Sequence, residues 1–213
     1  MRIIGGALSG RRIDAPAGDA TRPTSDKVRE AIFNRLVHGV FTVGEEELPD
    51  PLVGVVLDLY AGAGGLGLEA LSRGAVRCDF VDAAASACAV LKRNLTALGL
   101  TARARVAPIA ADAFLRREKV GGYGLVFADP PYADAGDRLD RVLALLVEKG
   151  HLAPGALVVV EHGDHAAPAC ARGGAASGGQ AGLHLLDQRR YGQTTVSFLA
   201  FITAAARGIP APA

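Results

Sequence analysis

The residues most able to do chemistry are Asp129-Pro130-Pro131-Tyr132, directly after the apolar stretch 124–128. Two prolines at the carboxyl end of a strand stop the hydrogen-bond ladder and fix the chain's direction, leaving carbonyls free of internal partners. An aromatic amino nitrogen is a poor nucleophile because its lone pair is delocalised into the ring. The Asp129 carboxylate and the Pro130 carbonyl could accept both amino hydrogens. That would aim the lone pair at an electrophilic methyl and favour positive charge developing on nitrogen. Tyr132 would offer a face to a base taken out of its stack. A lone Asp-Pro pair marks an ordinary turn. All four residues, 67 positions after Gly62, point to methylation of an exocyclic amine.

A second motif runs Asp58-Leu59-Tyr60-Ala61-Gly62-Ala63-Gly64-Gly65-Leu66-Gly67-Leu68-Glu69. A glycine turn after a buried strand lets a ligand approach the backbone, and the helix that follows presents free N–H groups. Gly62, Gly64 and Gly67 spell the dinucleotide fingerprint GxGxxG, so a nicotinamide cofactor competes with a methyl donor. Asp58 argues against a pyrophosphate, whose charge it would repel. It is suited to fixing the turn and meeting the cationic methionine end of S-adenosylmethionine. Asp82, 20 residues after Gly62, would bind a ribose in either cofactor. Asp112 follows the next strand and could accept a hydrogen bond from the adenine amino group; capping a helix at Ala113 is its plainer reading. Tyr60 completes the expected cofactor contacts.

The elements that must position these residues alternate. A short hairpin is expected from 2–4 and 11–13, and a helix over 26–38 with an apolar face of Val28, Ile32, Phe33 and Leu36. The acidic, proline-bearing stretch 44–51 reads as a linker. Strands follow at 53–59, 79–82, 103–109, 124–128 and 156–161, with helices at 65–73, 86–98 and 138–149. Such alternation implies a doubly wound α/β domain. Two strands at 183–188 and 195–202 form a terminal antiparallel hairpin, which suits a methyltransferase better than a dehydrogenase. The Gly/Ala-rich stretch 166–182 reads as a loop. The divisions expected are 1–50 as an N-terminal extension, 51–204 as the main domain and 205–213 as a tail.

Composition sets the limits. The 213 residues are half apolar and 21% charged, as in a globular protein, and no apolar run is long enough to span a bilayer. Cys78, Cys88 and Cys170 lack metal-ligand spacing and read as reduced thiols of a cytoplasmic protein. The five His form no metal motif, so no metal is expected. Net charge is +1, yet Arg2, Arg11 and Arg12 stand in a segment without acids until Asp14. Arg22, Lys27, Arg29 and Arg35 follow. A local basic patch suits nucleic acid; an ordinary solvated surface is the alternative.

With RIIGG at 2–6, RPTSDKVREAIFN at 22–34, DLYAGAGGLGLEALSRGA at 58–75, DPPY at 129–132 and RRYGQTTVSF at 189–198, the chain resembles the RsmD-like family of 16S ribosomal RNA guanine-N2 methyltransferases. The resemblance spans nearly the whole length, and its most specific block is 22–34. It implies a Rossmann-like class I S-adenosylmethionine methyltransferase fold: a mostly parallel seven-stranded sheet with a C-terminal antiparallel hairpin and a small N-terminal hairpin and helix. It makes Arg22, Pro23, Thr24 and Arg29 candidate site residues, Arg22 and Thr24 for cofactor, and Arg22 and Arg29 for RNA beside Arg2, Arg11 and Arg12. It also implies S-adenosylhomocysteine as product, and 16S RNA, naked or in an assembled small subunit, as partner of a monomeric enzyme. Two features depart from the family pattern. Asp82 is followed by Ala83-Ala84-Ala85 where the family often has charges, and 163–182 is longer than usual. Methylation of adenine-N6 or cytosine-N4 in DNA stays open, since DPPY serves any exocyclic amine, as does a non-catalytic RNA-binding or assembly factor. A nicotinamide oxidoreductase falls for want of a His, Lys or Tyr near the glycine loop paired with a substrate-orienting Arg.

Overall fold

The computed structural model describes residues 1–15, 25–118, 121–131, 136–163, 168–169 and 182–203. The Gly/Ala-rich loop, apart from 168–169 and Gly182, and the 205–213 tail lie outside them. Helix α1 (Asp26–His38) starts at Ser25, whose hydroxyl accepts the Val28 N–H at 3.3 Å. The expected linker 44–51 holds β2 (Glu46–Glu47), which pairs antiparallel with β1 (Thr42–Val43) just before it. Gly44, at φ 62°, takes the first position of their two-residue turn. Then come β3 (Val55–Leu59), α2 (Gly65–Ser72), β4 (Arg77–Val81), α3 (Ala85–Leu98), β5 (Ala104–Ala107), α4 (Ala111–Arg117), β6 (Tyr123–Ala128), α5 (Asp137–Glu148), β7 (Leu152–Gly163), β8 (Gly182–Tyr191) and β9 (Thr194–Ile202).

Strands β3 to β9 form one sheet in the order β5-β4-β3-β6-β7-β9-β8. The β3–β4, β3–β6, β4–β5 and β6–β7 pairs are parallel, whereas β9 runs antiparallel to both β7 and β8. This is the mostly parallel seven-stranded sheet with a terminal antiparallel hairpin that the resemblance implies. Val56, Leu125, Phe127 and Val159 pack with residues of α1, α2 and α3 on one face. Leu57, Val126 and Val158 pack with α4 and α5 on the other. Burial on both faces explains why the central strands read as continuous apolar runs. Strand β5 is shorter than expected: Arg103 belongs to a 3₁₀ turn at 101–103, and beyond Ala107 the Ile109 N–H turns back to the Ala107 carbonyl at 3.0 Å. Strand β7 is longer and takes in Pro154 and Gly155, with a register shift against β6 between Tyr123 and Leu125.

The N-terminal hairpin reduces to a single antiparallel bridge between Arg2 and Arg12, closed over a 3₁₀ turn at Gly6–Leu8. Ile3 and Ile13 join the α1–α3 core. Glu69 of α2, almost wholly buried, accepts the N–H groups of Ile4 and Gly5 at 2.8 Å each and pairs with Arg73 at 2.8 Å. Arg29 corrects an expectation. It is fully buried, bonded to Asp26 at 2.9 Å and to the Arg2 carbonyl, with Glu69 3.9 Å away. A guanidinium so enclosed fastens α1 to the N-terminal segment and offers nothing to a phosphate. Arg29→Met is expected to destabilise by about 1–3 kcal/mol, because it removes the charged donor of the Arg2 carbonyl and of Asp26, while Glu69 keeps Arg73 as its partner. The check is a denaturant titration, with RNA affinity of the folded variant unchanged.

Candidate active site

Register brings the expected acids together. Asp58 pairs in register with Phe80 of β4 and with Phe127 of β6. Asp82 and Asp129 each lie two residues beyond those partners, so three carboxylates crowd the carboxyl ends of adjacent strands. Asp58 is buried, and its Oδ2 accepts the Gly67 N–H at 2.9 Å. A carboxylate from β3 thus satisfies a free N–H in the first turn of α2. Burial, helped by the nearby Asp129 and Asp82 charges and opposed by the Gly67 N–H, pushes the Asp58 pKa up to about 7. A half-neutral buried acid between two other acids is a ready site for a cation.

The turn between β3 and α2 is conformationally demanding. Tyr60 is, among the described residues, the non-glycine residue at positive φ, 63°, a strained setting that persists only where its surroundings enforce it. Gly64 caps α2 at φ 89°, with Leu91 of α3 pressed against the place a Cβ would occupy. Gly62 donates its N–H to Asp82 Oδ2 at 2.8 Å, and the space above its Cα is open. Asp82 Oδ1 accepts from Ala84 N at 2.7 Å, and each oxygen keeps a further lone pair for a hydroxyl. Gly67 has a different role from the expected ligand approach. A Cβ there would lie 2.3 Å from the Phe80 ring and 2.7 Å from Cys78 Sγ, so its lack of a side chain seats α2 on β4. Gly67→Ala is expected to lower stability by about 1–3 kcal/mol through overpacking, read as a fall in Tm.

Asp112 lies in the first turn of α4, whose cap residue is Ala110, so it is not the helix cap. Its carboxylate sits 4.0 Å from Arg116 and remains partly exposed at the same sheet edge. Asp129 is half-buried, Pro130 buried and Pro131 exposed. Tyr132, Arg22, Pro23 and Thr24 lie outside the described residues. Arg2, Arg11 and Arg12 are exposed. Arg11 donates to the Ala97 carbonyl at 2.8 Å, which sets it on α3, whose exposed residues include Lys92 and Arg93. Sequence reasoning missed two buried polar side chains, Glu69 and Asn94, that fasten the N-terminal segment to the helices flanking the turn. Asn94 stands on the same helical stripe as Ala87, Leu91, Leu95 and Leu98, and a polar residue on a core stripe was the available signal.

Relatives share both sequence and fold. Residues 1–200 match the family described as Conserved hypothetical protein 95. The Escherichia coli (strain K12) protein named ribosomal RNA small subunit methyltransferase D is 37% identical over 161 residues, covering 76% of this chain and 74% of that one. Bacillus subtilis YlbH is 42% identical over 166 residues, covering 76% and 82%. The solved structure of Escherichia coli yhhF superposes with a TM-score of 0.73 at 30% identity, covering 95% of this chain and 98% of that one. By family match, identity and fold, the chain belongs to the RsmD-like family.

Proposed function

We propose that this chain transfers a methyl group from S-adenosylmethionine to the N2 amino group of a guanine in 16S ribosomal RNA, leaving S-adenosylhomocysteine. The observation that carries the reading is the convergence of Asp58, Asp82 and Asp129 at the carboxyl edge around a strained glycine turn. The residues suit the methyl donor. Buried Asp58 faces its cationic methionine end, Asp82 its ribose, Asp112 its adenine amino group, and Tyr60, Gly62 and Gly64 shape the cradle, with Arg22 and Thr24 as further contacts. Bound there, the donor supplies an electrophilic methyl on a sulfonium.

The chain's own residues do the rest. Asp129 and the Pro130 carbonyl hold the two amino hydrogens and fix the lone pair's direction, Pro131 sets the course of the loop, and Tyr132 stacks on the unstacked base. The methylated amino cation is itself acidic, so no strong general base and no metal are required. Arg2, Arg11 and Arg12 supply phosphate contacts. The names of the relatives favour ribosomal RNA of the small subunit over DNA. The enzyme acts as a monomer in the cytoplasm, where that RNA is made.

Labelled S-adenosylmethionine offered in parallel to small subunits, naked 16S RNA and duplex DNA tests the polymer. Label is expected in the first two only; label in DNA alone would replace this reading with the DNA one.

A further inference from the structure

The glycine turn is held from the side by one helical residue. Three residues of the turn, Tyr60, Gly62 and Gly64, sit at φ 63°, 55° and 89°. Tyr60 is strained there and the two glycines leave the backbone many alternatives, so neighbouring groups must hold the turn in one shape. Gly62 is tied to Asp82, and the Gly64 N–H turns inward to the Ala61 carbonyl at 2.7 Å. The Ala61 N–H is tied to the Val81 carbonyl at 3.0 Å, and the Ala63 carbonyl accepts the carboxamide N–H of Asn94 at 3.1 Å. Asn94 is nearly buried in mid α3, where its side chain gives no help to the helix itself. Its other two bonds go to one residue of the N-terminal segment: Oδ1 accepts the Asp14 N–H at 2.9 Å, and Nδ2 donates to the Asp14 carbonyl at 3.0 Å. Both carboxamide hydrogens are thus used, one pairing with Asp14 as a strand would and the other reaching the glycine turn.

We infer that Asn94 is a positioning residue for the methyl donor, locking the Ala63 peptide of the glycine turn to α3 and to residue 14 of the N-terminal segment. It touches no donor atom. It acts by keeping the turn's backbone in the shape that the donor meets, so that its loss is felt in donor affinity and little in the transfer step. The inference rests on the reading that the donor binds at this turn.

Asn94→Asp is the sharpest variant, because it keeps shape and the acceptor for Asp14 N–H while removing both donated hydrogens. Ser72→Ala is the comparison. Ser72 also fastens the N-terminal segment, accepting from Leu8 N at 2.9 Å and donating to the Gly5 carbonyl at 2.6 Å, but has no bond to the turn. Binding of S-adenosylhomocysteine is measured by calorimetry, and kcat and KM with small subunits as acceptor. Asn94→Asp is expected to weaken S-adenosylhomocysteine and raise the donor KM about tenfold, the scale of losing one or two buried hydrogen bonds. Its kcat should stay within about threefold of wild type, and the KM for subunits should not move. Ser72→Ala should lower Tm and leave the donor constants alone. Equal donor affinity in wild type and Asn94→Asp, or an equal loss in both variants, would overturn the inference. If Asn94→Asp does not fold, Asn94→Ser is judged by the same outcomes. Failure of the wild type itself to bind S-adenosylhomocysteine would instead strike at the methyltransferase reading.

Discussion

Asp129→Ala is expected to lower turnover by about a hundredfold or more, the scale of removing one preorganised electrostatic group from a reacting centre. Donor binding should survive. Asp129 is one of the charges holding the Asp58 pKa up, so its removal lets Asp58 ionise more readily. S-adenosylmethionine should therefore bind the variant as well as wild type at pH 8 and slightly better at pH 6.5. A variant that was merely misfolded would lose binding and turnover together. Calorimetry with single-turnover transfer to small subunits separates the two cases, and unchanged turnover would remove Asp129 from the chemistry.

Asp58→Asn should trade function for stability. In the folded chain the carboxyl titrates at about 7 against an ordinary value of 3.8. Between those values the folded state binds more protons than the unfolded one, so this group's contribution to stability declines as pH rises from 3.8 through 7. Above pH 7 the full penalty applies, on the order of 4 kcal/mol for a buried carboxylate. Asparagine keeps an oxygen for the Gly67 N–H without the charge. The variant should be more stable than wild type at pH 8, with the difference shrinking as pH falls towards 4. Donor affinity should fall sharply at pH 8, because the cation loses its counter-charge. In wild type, binding of the cationic donor is expected to favour ionised Asp58, with a proton released below pH 7 and affinity rising with pH. S-adenosylhomocysteine, without the sulfonium charge, should show a weaker dependence. Chemical denaturation at pH 5 and pH 8, with calorimetry in buffers of different ionisation enthalpy, checks both halves.

The central strands and the helices after them were legible because burial on both faces writes itself as unbroken apolar runs, and Gly99, at φ 71°, marks the end of α3. The positions of Asp58, Asp82 and Asp129 followed from those strands, since each stands at or beyond a strand end. The β1–β2 pair was hidden by its composition. Glu46 and Glu47 are exposed and belong to an acidic run, so only Gly44 hinted at a turn. Arg29 was misread as a phosphate contact because the groups that enclose it beyond Asp26, the Arg2 carbonyl and Glu69, are 27 and 40 residues away in sequence. Its spacing was informative all the same: 29, 32, 33 and 36 follow the helical interval, and all four are buried. Gly67 looked like part of a ligand loop because the fingerprint treats its three glycines alike. Only the distance to Phe80 separates a packing glycine from a binding one. The Asn94 bonds span 31 and 80 residues of sequence, and no local pattern encodes them.

The central claim is that Asp129 and Pro130 present a guanine N2 amine to the methyl donor at this sheet edge. Small subunits lacking the modification, treated with the protein and labelled S-adenosylmethionine, can be digested to nucleosides and separated. Label is expected in N2-methylguanosine, and none with Asp129→Ala. Label in N6-methyladenosine or N4-methylcytidine, or equal labelling by the variant, would contradict that claim.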